Sequence, residues 1–348
     1  MIDPTDLEHC RAAIRTGSYS FHAASRILPK RVCDPALALY AFCRLADDAV
    51  DENEEKAGAV LSLQDRLDLI YAGRPRNAPA DRAFAAVVDD FEMPRTLPDA
   101  LLEGLAWDAQ GRRYRTLSEL FDYCARVASA VGAMMTVLMR VRDADALARA
   151  CDLGLAMQLT NIARDVGEDA RARRIYLPLE WMEDARIDPD AFFAEPLPTE
   201  AVRDMVRRLL READRFYIRS EAGVSALPTD CRPGIFAARH IYAGIGGAIR
   251  RNGYDTISWR GRTTAGQKAG WLGLSVVRAG VSAMMPQSAV LHAAPAAETA
   301  FLVDAAARTR ARAGWGEGRS GALLAALADL KARDMERQGL EGQGARPT

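Results

Sequence analysis

Two acidic clusters stand out in the chain. Asp47, Asp48 and Asp51 fall in the run YAFCRLADDAVDE, and Asn161, Asp165 and Asp169 fall in QLTNIARDVGED. Residues four apart on an α-helix are offset by only about 40° around the axis, so Asp47 and Asp51 share one face and Asn161, Asp165 and Asp169 share another. Tyr40 and Arg44 extend the first stripe backwards, and Gln158 extends the second. Solvated helix surfaces often carry acids at this spacing. Here, however, each cluster follows an apolar run (PALALYAF, CDLGLAMQL) and carries an arginine nearby, Arg44 or Arg164. Such carboxylates are expected to face a cavity. Like charges about 4 Å apart repel by roughly 4 kcal/mol at an effective dielectric near 20, so facing clusters need cations. A ligand set of oxygens, without His or Cys, suits a hard ion such as Mg²⁺, which completes its shell with water and substrate phosphates. The implied chemistry is metal-assisted handling of a diphosphate. Asp48 points about 100° away from Asp47 and is the weakest member of its cluster.

The rest of the composition narrows the class. The chain has 348 residues, a net charge of −1 and a hydrophobic fraction of 49%, enough for a substantial core. No basic stripe suggests nucleic-acid binding. Six cysteines (Cys10, Cys33, Cys43, Cys124, Cys151, Cys231) show no CxxC pair and no metal-ligand spacing, which suits a reducing, cytoplasmic compartment. No signal peptide and no apolar run of transmembrane length are visible.

The elements that must hold these clusters read as helices almost throughout, because apolar residues recur at three- and four-residue steps. The pattern predicts helices near 5–15, 18–28, 35–52, 62–72, 80–90, 98–108, 117–140, 143–168, 199–226 and 232–251. Asp34-Pro35 and Ser118 are expected starts. DPDAFFAEPLPTE reads as a Pro- and acid-rich turn. An all-α, single-domain fold over 1–295 is expected, with a C-terminal extension over 296–348. The run AGWLGLSVVRAGVSAMMPQSAVLHAAPAA is expected to pack on the core, the alternative being contact with a membrane surface. ALLAALADLKARDMERQ reads as a short amphipathic helix and GLEGQGARPT as a disordered end.

At the two acidic motifs, and at SYSFHAASRILP, YCARVASAVG and QLTNIARDVGEDARARRIYLPLEWM, the sequence resembles the squalene/phytoene synthase family over roughly residues 5–290. The wording ARDVGEDARARRIYLP, with Gly104 and Asp108 in EGLAWDAQGRRY, is most similar to bacterial phytoene-forming members. The resemblance implies an isoprenoid-synthase-type helical bundle around a central cavity. It implies Mg²⁺ or Mn²⁺ held by Asp47 and Asp51 on one wall and by Asn161, Asp165 and Asp169 on the other. It assigns Arg44 and Arg164, with Arg174 and Arg262, to diphosphate oxygens. Tyr40, Gln158 and Tyr242 would contact diphosphate or the reacting carbons, and Ser18, Ser20 and Phe21 would close over one substrate. Leu153, Ala156, Met157 and Ala163 with Leu39 and Phe42 are expected to form a dry lining, and Gly154 and Ala156 to leave room for a prenyl tail.

The reaction implied joins two geranylgeranyl diphosphates head to head, through a cyclopropylcarbinyl diphosphate, to phytoene, a step of carotenoid biosynthesis. No GxGxxG opens a βα unit, and no NADPH is expected. A sibling activity on farnesyl diphosphate (squalene, dehydrosqualene or hydroxysqualene) is the nearest alternative. A class I terpene cyclase and a catalytically silent assembly or lipid-binding relative are the others. The arginine before the first motif and RRIYLP after the second argue against a cyclase, and retention of all five metal-ligand positions argues against a silent relative. The expected location is cytoplasmic, with peripheral contact at the inner face of the cell membrane.

Overall fold

A computed structural model describes residues 2–17, 24–25, 27–52 and 56–307. Among these residues no β-strand occurs, and no helix is long and apolar enough to cross a membrane. The all-helical expectation holds. The expected helix near 18–28, the amphipathic helix in ALLAALADLKARDMERQ and the end GLEGQGARPT lie wholly or largely outside the described residues.

The helices in chain order are α1 (Pro4–Gly17), α2 (Lys30–Glu52), α3 (Lys56–Tyr71), α4 (Pro79–Phe91), α5 (Thr96–Ala109), α6 (Leu117–Cys124), α7 (Ala130–Leu138), α8 (Ala144–Arg171), α9 (Leu179–Asp184), α10 (Pro189–Ala194), α11 (Glu200–Val224), α12 (Arg232–Arg251), α13 (Ala265–Met284) and α14 (Ala300–Ala306). The 28-residue α8 is the organising element. Asp143 caps it by accepting from the amide of Ala146 at 3.0 Å, which satisfies one of the donors a helix start leaves open. Its first half (Leu147, Ala148, Cys151) joins a core with Leu39, Phe42, Phe84 and Leu138. Its second half (Leu155, Leu159, Ile162, Val166) joins another core with Trp181, Leu209 and Ile249. Leu302, Val303 and Ala306 of α14 belong to the first core, so the packed body runs on past residue 296.

Several local expectations shift. α2 begins at Lys30 and carries Pro35 inside it. Proline lacks the amide that would bond one turn back, and its ring crowds the carbonyl of Arg31, so Pro35 weakens the hydrogen-bond ladder locally near the start of the helix. α6 begins at Leu117, and the capping oxygen belongs to Thr116, which accepts from Glu119 N at 3.2 Å. The single helix expected over 117–140 is interrupted by a π-helical turn, Ala125–Ser129. There α8 comes so close that a Cβ on Gly154 would lie 2.5 Å from Ser129 Cα, and Ser129 donates its hydroxyl to Cys151 O at 2.7 Å. The run read as a turn, DPDAFFAEPLPTE, contains α10, capped by Asp188 and anchored by buried Phe192 and Phe193.

Candidate active site

Between the two cores lies a cavity of about 300 Å³ with an almost wholly apolar lining. On α8 the lining residues include Ala146, Ala150, Leu153, Met157 and Asn161, a stripe at steps of four, three, four and four residues. Continued by one and two turns, the stripe reaches Asp165 and Asp169. On α2 the lining residues are Ala36, Leu39, Tyr40 and Cys43, and the same continuation from Cys43 reaches positions 47 and 51. Both acidic ladders therefore extend faces that line one cavity. Side chains of Asp47 and Asp51, and residues Ser18, Ser20 and Phe21 entirely, lie outside the described residues.

Of the other expected contacts, Tyr40, Gln158, Asn161 and Tyr242 all line the cavity. They supply polar atoms to a wall otherwise built of hydrocarbon. The Asn161 amide nitrogen donates to Gln158 Oε1 at 3.4 Å, while Asn161 Oδ1 is buried and accepts no hydrogen bond among the described residues. A buried acceptor left unpaired costs about 1–3 kcal/mol. Arg44 is paired with Asp48, Nη2 to Oδ1 at 2.6 Å, so Asp48 orients that arginine one turn before the first ladder.

The second ladder is a dense charge network. Arg164 binds both carboxylate oxygens of Asp165, at 2.8 and 2.5 Å. Arg260 reaches the same carboxylate at 2.8 Å and Glu168 at 3.2 Å. Burial works against charge on Asp165, but the two guanidinium groups outweigh it and hold its pKa below the ordinary value. Asp169 behaves oppositely. Burial, and then the neighbouring charge of Asp165, push it up to about 7, with Arg174 only partly opposing. Two adjacent acids whose environments drive them apart are a common sign of a functional site. Arg262 is exposed; Arg260, two residues earlier, is the arginine that meets the ladder.

Behind Asp169 sits an aromatic cluster that the motif reading did not single out. Asp108 accepts the hydroxyls of Tyr123 at 2.7 Å and Tyr176 at 2.8 Å, and those two rings stack with centroids 5.1 Å apart. The sequence signal was Asp108 itself, an acid at the end of the apolar helix run ALLEGLAWDA. The expected dry lining is half corrected. Leu39, Leu153 and Met157 line the cavity, whereas Phe42 turns into the core and stacks on Phe84 at 4.4 Å, and Ala156 and Ala163 pack in the second core. Phe42 and Ala156 lie one position off their stripes and Ala163 two, and about 100° per residue is enough to turn each of them away. Among the described residues no three His, Cys, Asp or Glu side chains converge as a metal centre. The donors that are described, the unpaired Asn161 oxygen and two crowded carboxylates, nevertheless fit a hard cation.

Comparison with known proteins agrees with this architecture. Residues 14–267 match the family model for squalene/phytoene synthase. The chain is 64% identical to the phytoene synthase of Cereibacter sphaeroides over 97% of its own length and 96% of that protein's. It is 61% identical to the phytoene synthase of Rhodobacter capsulatus, covering 96% and 98% respectively. Among solved structures it resembles a dehydrosqualene synthase in complex with ligand, with a TM-score of 0.73 and 31% identity over 80% of this chain and 97% of the other. A squalene synthase from Alicyclobacillus acidocaldarius gives a TM-score of 0.66 at 25% identity, over 72% and 95%. With both acidic ladders extending the walls of one apolar cavity and a match over most of its length, the chain belongs to the squalene/phytoene synthase family.

Proposed function

We propose that the chain is a prenyl-transferring phytoene synthase, which joins two geranylgeranyl diphosphates head to head. Ionisation of the first releases diphosphate; its C1 is captured by the C2–C3 alkene of the second, giving a cyclopropylcarbinyl diphosphate and a proton. Release of the second diphosphate, ring rearrangement and loss of a further proton give phytoene. The two relatives above 60% identity carry that name.

The observation that carries the choice of substrate is the lining stripe of α8. From Asn161 to Ala146 it spans 15 residues, about 22 Å of helix. A C20 prenyl chain, with about sixteen carbons in line at roughly 1.2 Å per bond, needs about 18 Å, and a C15 chain about four carbons less. The longer substrate uses this depth better.

Asp47 and Asp51 on α2, and Asn161, Asp165 and Asp169 on α8, would hold Mg²⁺ or Mn²⁺. When bound, the metal supplies positive charge to diphosphate oxygens. Arg44, Arg164, Arg174 and Arg260, with Arg262 further out, present guanidinium groups whose paired N–H bonds suit those oxygens as charge develops on them. Tyr40, Gln158 and Tyr242 orient the head of the chain, and Ser18, Ser20 and Phe21 close over it. Leu39, Leu153 and Met157 keep water from the allylic cation, which must meet an alkene instead. The product is a hydrocarbon, and we infer peripheral contact between the enzyme and a membrane.

The test is a product assay on purified protein with Mg²⁺ and without NADPH. Geranylgeranyl diphosphate should yield a C40 triene. A C30 product formed preferentially from farnesyl diphosphate would move the chain to the squalene branch, and a cyclic product from one substrate would make it a cyclase.

A further inference from the structure

Helix α13 is built inside out. Only Ser275 and Ala279 are fully buried in its seam, where the indole of Trp271 lies against Gly244 of α12 and His240 meets Ser275 Oγ at 3.0 Å. At 100° per residue, Leu274, Val277, Val281 and Met284 fall on the sides away from that seam. All four are exposed, Val277 at 62% and Met284 at 89%, and Val276, Met285 and Val290 join them. A helix of a globular protein normally turns its large aliphatic residues inward and its polar ones out. Here the outer face carries aliphatic residues and glycines.

Charge is equally one-sided. Between Asp255 and Glu298 there is not one Asp or Glu, while Arg260, Arg262, Lys268 and Arg278 all fall in that interval. Arg260 is held by Asp165 and Arg278 by Glu221, which leaves Arg262 and Lys268 as the local charges available to an anionic surface. The whole chain is balanced at −1, so this absence of acids is local. A helix with an apolar outer face in an acid-free, basic stretch has the make-up of an element that lies in the interface of an anionic bilayer.

The same stretch touches the inner end of the cavity. Arg149 lines that cavity about 18 Å along α8 from Asn161. Its side chain is buried, paired with Asp152 at 2.7 Å, and it donates to the carbonyls of Val290 at 2.7 Å and Ala293 at 2.9 Å. Val290 thus belongs both to the wall behind the cavity end and to the exposed apolar surface.

We propose that the outer face of α13, with Met284, Met285 and Val290, is the surface by which the enzyme docks on an anionic lipid bilayer, bringing the deep end of the cavity next to the membrane. This rests on the peripheral contact proposed above and gives it an address.

The test is flotation of the full chain with vesicles of phosphatidylcholine alone or mixed equally with phosphatidylglycerol. Wild type should float with the mixed vesicles, at least about tenfold less with neutral ones, and less as salt rises. Val277→Glu with Met284→Glu should lower binding at least about tenfold, and Met284→Glu alone measurably. Leu61→Glu, at an exposed leucine on α3, should bind like wild type. The double variant should keep its melting temperature and its turnover on detergent-dispersed substrate, since both side chains face outward. Wild type that floats with no vesicle would refute membrane contact itself. Wild type that floats while the double variant floats equally would refute this face alone. A wild-type dimer that the double variant splits, with lipid binding unchanged, would assign the face to a second copy and overturn the proposal.

Discussion

Arg260 stands 2.8 Å from Asp165, although 95 residues separate them in the chain. With Arg164 on its other side, Asp165 is clamped by two guanidinium groups at the end of the cavity-lining stripe. This arrangement ties the loop after α12 to the second acidic ladder, and its consequences can be measured.

Replacing Asp165 by Asn keeps volume and one acceptor oxygen but removes the charge that both arginines and a cation would share. Turnover should fall by at least about a hundredfold, while the melting temperature shifts by only a few degrees. Steady-state kinetics paired with thermal melts check both; near-normal turnover would remove Asp165 from the machinery.

Arg260→Ala should reduce kcat/KM by roughly ten- to a hundredfold, equivalent to about 1.4–2.7 kcal/mol. Arg262→Ala should cost distinctly less, because Arg262 is exposed while Arg260 reaches Asp165. Parallel kinetics on the two variants decide the order.

Ala150 lines the inner half of the cavity. Ala150→Phe should shorten the usable depth, lowering kcat/KM for geranylgeranyl diphosphate about tenfold or more while sparing farnesyl diphosphate. Competition between the two substrates in one tube reads the change directly.

His240 makes one contribution to the pH dependence of stability, opposite in sign to that of Asp169, whose raised pKa favours the folded state as the pH drops. Burial first, then the nearby Arg239 and Arg278, hold the His240 pKa down at about 4 against the ordinary 6.5, with Glu221 opposing. The folded state thus takes up its proton later than the unfolded state does. Between these values the unfolded chain binds more protons at this site, so the contribution of His240 to stability is complete above pH 6.5 and falls as the pH drops toward 4. The loss is about 2–4 kcal/mol, and His240→Gln should flatten that part of the profile of melting temperature against pH.

Much of this site was legible in the residues. Four-residue spacing is a property of helix geometry alone, so Asn161, Asp165 and Asp169 could be aligned without coordinates, and the apolar runs before each cluster marked a wall facing a cavity. What could not be read was set by tertiary contact. Phe42 and Ala156 are as apolar as Leu39 and Met157, and only packing against Phe84 and the second core decides which face inward. Arg260 and Arg262 flank one glycine in the run WRGR, and nothing local tells which one folds back. The π-helical turn at Ala125–Ser129 has no composition signal; it accompanies the close approach of Ser129 to Gly154. Gly154, read as room for a substrate tail, does line the cavity and also permits that approach, so Gly154→Ala should cost about 1–3 kcal/mol or more of stability through backbone displacement.

We propose that the two ladders and the apolar stripe of α8 form one site for one substrate. A crystal structure with Mg²⁺ and a thiolodiphosphate analogue of geranylgeranyl diphosphate tests it most directly. The diphosphate is expected between positions 47 and 51 of α2 and Asn161 and Asp165 of α8, with the chain running past Met157 and Leu153 toward Ala146. A diphosphate bound away from these positions, or a prenyl chain lying outside the cavity, would contradict the account.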